Sequence, residues 1–259
     1  MTTAEPQFVA SAANALFKDL RRLAHDSTAY RRQGRLWLEG DHLCRAALER
    51  GVRPAAAVFA ESFWTLAAVE WSGQAERNIV VSDALFAGLS ALESPSRMGF
   101  VVDMPHAPAL QPGQACVVLD RVQDAGNVGA ILRSAAAFGF RQVAAITGTA
   151  ALWSPKVLRA GMGAHFGLCL VEGLEPAAMQ ALDVPLIMTS SHQGELLHKQ
   201  QLPWPCAWAL GHEGQGVSEE IARRAHLIVR IAQPGGEESL NVASAAAICL
   251  HASATARQT

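Results

Sequence analysis

CVVLDRVQDAGNVGAILRSAAAFGFRQVAAI, residues 116–146, is the passage on which the fold turns. An apolar run at 116–119 ends in Asp120 and gives way to a polar loop with glycines. A helix is predicted over 128–138 and a second strand over 142–146. Strand, loop, helix and strand in this order build a parallel sheet whose ligands collect at the carboxyl ends of its strands. The pattern continues downstream. Ser154 can cap a helix with Pro155 at its first position, and strands are predicted at 165–171, 186–189, 208–210 and 227–231.

Upstream, Leu16, Leu20 and Leu23 with basic residues between them predict a short amphipathic helix over 14–24. Strands follow at 35–40, 55–60, 79–81 and 99–104. Asp41 can cap a helix running to Arg50, with Gly51 placed to end it, and Ser82 can cap another through Leu89. This alternation predicts a small α/β domain at 1–104. Residues 105–113, PHAPALQPG, hold three prolines and a glycine with no periodicity and read as a linker. The second domain is expected at 114–259, a mainly parallel sheet with helices on both faces.

With 50% hydrophobic and 17% charged residues, the composition is that of a globular chain with a sizeable core, which excludes a disordered one. No apolar run approaches the ~18 to 20 residues that cross a bilayer. MTTAEPQF does not read as a signal peptide, so a cytoplasmic location is expected. Five scattered cysteines and nine histidines show no zinc-ligand spacing, and no metal is expected. Net charge is −2, yet residues 18–53 carry nine Lys/Arg against five Asp/Glu, a local +4. That segment is either a solvated helix face or a phosphate-binding patch formed by Lys18, Arg21, Arg22, Arg31, Arg32 and Arg35.

Three segments carry the chemistry. In QDAGNVGAILRSAAAFG, Gly126 and Gly129 permit close backbone approach, Asn127 stands where a helix N-cap belongs, and Arg133 lies one turn beyond Gly129. Free backbone N–H groups, a polar cap and an arginine suit a phosphate or ribose. The alternative is an ordinary helix start with a surface arginine. In LGHEGQGVS, three glycines in six positions follow a strand without the Lys-Ser/Thr of a phosphate loop, so the segment is either a nucleoside site or a plain turn with a solvated Glu213. In RIAQPGGEESLNVASAAAICL, Ser239 and Asn241 bracket a helix start and can bond a substrate hydroxyl. Gly161–Gly167 follows a helix and precedes a strand, the wrong order for a dinucleotide fingerprint.

Together and in this order, the three segments resemble the motifs of the SpoU (TrmH-like) branch of the SPOUT RNA methyltransferases. Asn127, Gly129, Arg133, Ala135 and Gly139 match the first motif. Ala125 stands where many members have proline, and Ile231-Ala232-Gln233 where many have Ile-Pro-Met. The resemblance implies transfer of a methyl group from S-adenosylmethionine to a ribose 2′-hydroxyl of RNA. It implies a cofactor site at Thr189, Leu210, Gly211, Gly214, Gly216, Ile231 and Leu240, and catalytic roles for Asn127, Arg133, Glu213, Ser239 and Asn241. It also implies a C-terminal trefoil knot and a homodimer with residues of both subunits near each site. The first domain is similar to the RNA substrate-binding domain that many members carry, which favours ribosomal over transfer RNA. Arg133 is often given the base role in the family, but a guanidinium is always protonated and fits a phosphate clamp better. A non-catalytic RNA-binding protein that kept the fold is the rival reading. A nicotinamide or nucleotide enzyme is disfavoured, because no strand-borne G-x-G-x-x-G or phosphate loop is present.

Overall fold

The computed structural model describes residues 5–90, 95–106, 108–191, 193–235 and 239–256. The chain forms two units, Met1–His106 with Trp153–Phe166, and Ala107–Leu152 with Gly167–Thr259. The first contains β1 (Gln7–Val9), α1 (Ala15–His25), α2 (Ala29–Gln33), β2 (Arg35–Glu39), α3 (Asp41–Glu49) and β3 (Ala56–Ala60). It continues with α4 (Glu61–Trp71), β4 (Asn78–Val81), α5 (Asp83–Ala87) and β5 (Met98–Asp103). Its sheet runs in the order β1-β4-β3-β5-β2, with β5 antiparallel to both of its neighbours.

The predicted amphipathic helix is α1. Asn14 accepts the amide of Leu16 at 2.9 Å, and Phe17, Leu20, Leu23 and Ala24 turn inward. Ser82 caps α5 as expected, accepting the Leu85 amide. Asp41 does not cap α3. Gly40 holds the cap position at φ 98°, and Asp41 is the first helical residue, where its charge favours the positive end of the helix.

The second unit begins with β6 (Cys116–Asp120), α6 (Ala125–Ala137) and β7 (Gln142–Ile146). Next along the chain comes α7 (Pro155–Gly161), capped by Ser154. Although it lies within the second predicted domain, α7 clusters with the first unit, where it packs on β2 and α1. Pro155, Val157 and Leu158 of α7 are buried, and an ion pair joins it to β2: the Glu39 carboxylate is almost fully buried and receives the Arg159 guanidinium at 3.3 Å. A carboxylate taken out of water needs such a partner.

The chain goes on through β8 (Cys169–Leu174), β9 (Leu186–Thr189), β10 (Glu195–Leu196), β11 (Ala207–Gly211), α8 (Glu219–Ala222), β12 (Leu227–Arg230) and α9 (Val242–Ala256). The strand predicted from residue 165 starts only at Cys169. A 3₁₀ turn over Ala164–Gly167 precedes it, with His165 buried against the Trp153 ring at 5.3 Å. All seven strands are parallel, in the order β10-β12-β9-β11-β6-β7-β8. Strands β6, β7 and β11 are buried at every position, as expected of parallel strands covered on both faces.

The order places the crevice. Strand β6 has β7 on one side and the late strand β11 on the other, so connections diverge at their carboxyl ends, and the cavity opens on the β9 side of β11. Gly211 pairs with Asp120 at those ends. Helix α9 packs on β11 and α6. The buried Trp208 indole donates to Ser253 Oγ at 2.9 Å. The five cysteines are free thiols, and burial pushes those of Cys116 and Cys249 up to about 12 and that of Cys206 to about 11.

Replacing Ser253 by alanine strands the indole N–H in the core. We expect a loss of about 1–3 kcal/mol of unfolding free energy, read as a lower urea midpoint at constant slope.

Candidate active site

A cavity of about 630 Å3 opens at the carboxyl ends of β9, β11 and β12. It is lined by Met188 to Ser191, Leu210 to Val217, Ile231, Gln233, Ser239 to Val242 and Ala245. All seven residues expected to hold the cofactor are therefore on one surface. So are Glu213, Ser239 and Asn241.

The walls depend on a tight loop after β11. Glycine is required at Gly211, because a Cβ there would collide with the backbone of Gly216 and Val217. Gly216 has φ 70° and exchanges two backbone hydrogen bonds with His212 at 2.8 and 3.0 Å. Inside the loop, His212 Nδ1 accepts the amides of Gly214 at 3.0 Å and Gln215 at 3.3 Å. An Nδ1 that accepts leaves the imidazole proton on Nε2.

Outside the loop, two anchors hold it. The first is Asp120, whose fully buried carboxylate accepts the Ser218 amide at 2.5 Å and Arg121 Nε at 3.1 Å. Arg121 adopts φ 62° and donates on to Gln215 Oε1 at 3.1 Å. The second is Glu213, which reaches across to the start of α6. Its Oε2 accepts the Gln123 amide at 3.2 Å, and its Oε1 accepts the Asp124 amide and Asn127 Nδ2, each at 3.1 Å. Asn127 Oδ1 in turn accepts Asn241 Nδ2 at 2.9 Å. Asn241 Oδ1 caps α9 by accepting the amides of Ala243 and Ser244 at 2.9 and 3.2 Å. One chain of directed hydrogen bonds thus joins all three glycine-bearing segments.

This geometry corrects two expectations. The cap of α6 is Asp124, which accepts the Asn127 amide at 2.7 Å, and Asn127 lies within the first turn. Arg133 is not at the cavity. It sits on the exposed face of α6, with no hydrogen bond or ion pair among the described residues, because the opposite face (Val128, Ile131, Leu132, Ala135) is buried. Ser239 is exposed at the rim. Asp120, Arg121, His212, Gln215 and Gln233 were not foreseen. A carboxylate at the end of a buried strand was a signal that could have found Asp120, and the other four carried none.

The SpoU rRNA Methylase family matches residues 114–251, over half of the chain. The chain belongs to this family. Across 94% of its length it is 29% identical to the 23S rRNA (guanosine(2553)-2′-O)-methyltransferase RlmP of Bacillus subtilis, covering 97% of that protein. An uncharacterized tRNA/rRNA methyltransferase of Synechocystis is 31% identical over 96% of this chain and 94% of its own. The AdoMet-bound rRNA methyltransferase of Sinorhizobium meliloti superposes with a TM-score of 0.80 at 25% identity, covering 97% of each chain.

Outside the site of this SpoU protein, in the first unit, Lys18, Arg21 and Arg22 are exposed on α1, Arg31 and Arg32 are exposed on α2, and Arg35 is half-buried on β2. Arg22 faces Asp19 at 3.8 Å, Arg32 faces Asp26 at 3.0 Å, and Arg35 faces Asp103 at 3.2 Å. Arg31 donates to the Tyr30 hydroxyl at 3.1 Å. The local positive charge is therefore partly compensated. Lys18 and Arg21 have no such partner among the described residues. Nor do those residues contain a group of three His, Cys, Asp or Glu fit to hold a metal ion.

Burial pushes the Glu213 carboxyl up, but the bonds from Asn127 and from the backbone of Glu213 itself, Asp124 and Gln123 outweigh it. Its pKa lies below the ordinary glutamate value of 4.5. The charged form favours the closed site, so that contribution is complete above 4.5 and is lost as pH falls through the depressed value. We expect S-adenosylmethionine affinity, measured by calorimetry, to hold from neutral pH down to that point. Glu213→Ala weakens it about 10-fold at pH 7, because three donors lose their common acceptor.

Proposed function

We propose that this protein methylates a ribose 2′-hydroxyl of ribosomal RNA, with the cavity beside β11 as its cofactor pocket. As a SpoU family member it is an RNA 2′-O-ribose methyltransferase, and S-adenosylmethionine is its methyl donor. The observation that carries the assignment of the site is the Glu213–Asn127–Asn241 chain at the rim of the cavity. Supporting the choice of ribosomal RNA are the names of the relatives from Bacillus and Sinorhizobium.

The residues present fit the donor. A cavity of about 630 Å3 lies in the size range of cofactor sites, and Leu210, Val217, Ile231 and Leu240 give it aliphatic walls. Backbone groups at Thr189, Leu210, Gly211, Gly214, Gly216, Ile231 and Leu240 hold the nucleoside and amino-acid ends. When bound, the donor supplies an electrophilic methyl group on a sulfonium. What the chain adds is position: it would hold the ribose hydroxyl against the methyl group, with the hydroxyl proton released to solvent at the open rim and the sulfonium leaving as a neutral thioether. Ser239 orients the hydroxyl. Asn127 and Asn241, already fixed by each other and by Glu213, keep the rim rigid.

Arg133 clamps RNA phosphate. Its place on the exposed face of α6, away from the cavity of its own chain, supports a homodimer in which it serves the partner's site. The 41% exposure of Ile248 on α9, the helix packed on α6, supports the same reading. The strand order supports the C-terminal trefoil knot that the resemblance implies: β11 inserts between β9 and β6, β12 lies beyond β9, and α9 then returns to α6 and β11. The first unit is assigned to RNA binding through Lys18 and Arg21. Arg22, Arg31, Arg32 and Arg35 exchange weak surface partners for phosphate. Among the described residues no helix is long and apolar enough to cross a membrane, and we place the enzyme in the cytoplasm with its RNA.

Incubation with methyl-labelled S-adenosylmethionine and separated 23S, 16S and transfer RNA tests the reading. Label is expected as 2′-O-methylnucleoside in ribosomal RNA. Label confined to transfer RNA overturns the substrate, and label in none of the three overturns the activity. Arg133→Lys is expected to weaken RNA binding about 10-fold while leaving the pH–rate profile unchanged, since a monodentate ammonium replaces a bidentate fork. Lost turnover with intact binding would instead make Arg133 the base.

A further inference from the structure

Gln233 lines the cavity, and its side-chain Oε1 is buried without a hydrogen-bond partner among the described residues. Buried side-chain acceptors are paired in the great majority of cases, so an orphan at the wall of a ligand site points to a donor carried by the ligand. Gln233 lies three residues beyond β12, where the carboxyl edge of the sheet opens into the cavity. A methionine in its place would fill the same space but offer no comparable hydrogen bond.

We propose that Gln233 reads the adenine base of the methyl donor, a contact that rests on the methyltransferase reading of the same cavity. A carboxamide sets one acceptor beside one donor. That pattern matches the edge of adenine, where the exocyclic N6 amine donates next to an accepting ring nitrogen. Ile231 and Leu240 line the cavity on either side of Gln233 in sequence and provide aliphatic surface for the flat faces of a purine. The pocket therefore discriminates among purines. With Oε1 as the buried atom, a base with a 6-oxo group brings an acceptor rather than a donor to it and gains no bond there.

The test compares S-adenosylhomocysteine with S-inosylhomocysteine, which differ at that edge, by calorimetric titration of the full-length wild type and Gln233→Met. The wild type is expected to prefer the adenosyl compound by about 10-fold or more. In Gln233→Met the preference falls to about 2-fold, while affinity for the inosyl compound stays close to that of the wild type. Gln233→Glu restores an acceptor for the N6 amine and recovers part of the preference, which a merely structural role would not do. An undiminished preference in Gln233→Met overturns the assignment of Gln233 while leaving the cofactor pocket in place. Failure of the wild type to bind either compound overturns the pocket itself, and the assignment with it.

Discussion

The Glu213 carboxylate is the constraint from which the rest of the site follows. An ionised carboxylate only accepts, so every group that turns toward it must donate. It takes the amides of Gln123 and Asp124 and the side-chain amide of Asn127, which closes the glycine loop after β11 onto the start of α6. Orientation then propagates. With its N–H₂ committed to Glu213, Asn127 presents its carbonyl, and Asn241 must present its own N–H₂ to that carbonyl. Asn241 is left with its oxygen toward the first amides of α9, where a helix needs an acceptor. One charge thus fixes the direction of each hydrogen bond from the loop to the last helix.

Such a chain forms only where the sheet brings its ends together. Pairing of β11 with β6 puts Gly211 beside Asp120, and the absence of a Cβ lets the loop fold back onto its own strand. Asp120 then secures the far side of the loop through the Ser218 amide while Arg121 compensates its buried charge. The loop is held at both ends by carboxylates of opposite surroundings. Asp120 is sealed from solvent, and Glu213 is exposed at the rim.

Much of the scaffold was legible in sequence because its signals are local. Strands β7 and β9 and the start of α7 coincide with apolar runs and a Ser-Pro cap. Helix α4 was missed because its apolar residues lie all round it rather than in a stripe, with Leu66 and Val69 largely exposed. At α6, Asp124 and Asn127 are both good caps, and only the loop path decides between them. The glycine segments announced a site, and the resemblance named its residues. The duties of His212 and Gln233 stayed hidden, since each depends on where a folded loop aims a single polar atom. Arg133 shows the limit of spacing: it fixes the face of a helix but not what that face meets.

The placement of α7 bears on how this chain is assembled. The polypeptide enters the second unit after His106, returns to the first at Trp153 and leaves it again after Phe166, so the units exchange chain three times. A fragment cut at the proline-rich stretch would lack Arg159 and leave the Glu39 carboxylate sealed in β2 without its counterion. The amino-terminal unit is therefore not a detachable cassette. It is completed only by a helix synthesised some fifty residues after the stretch that looks like its boundary.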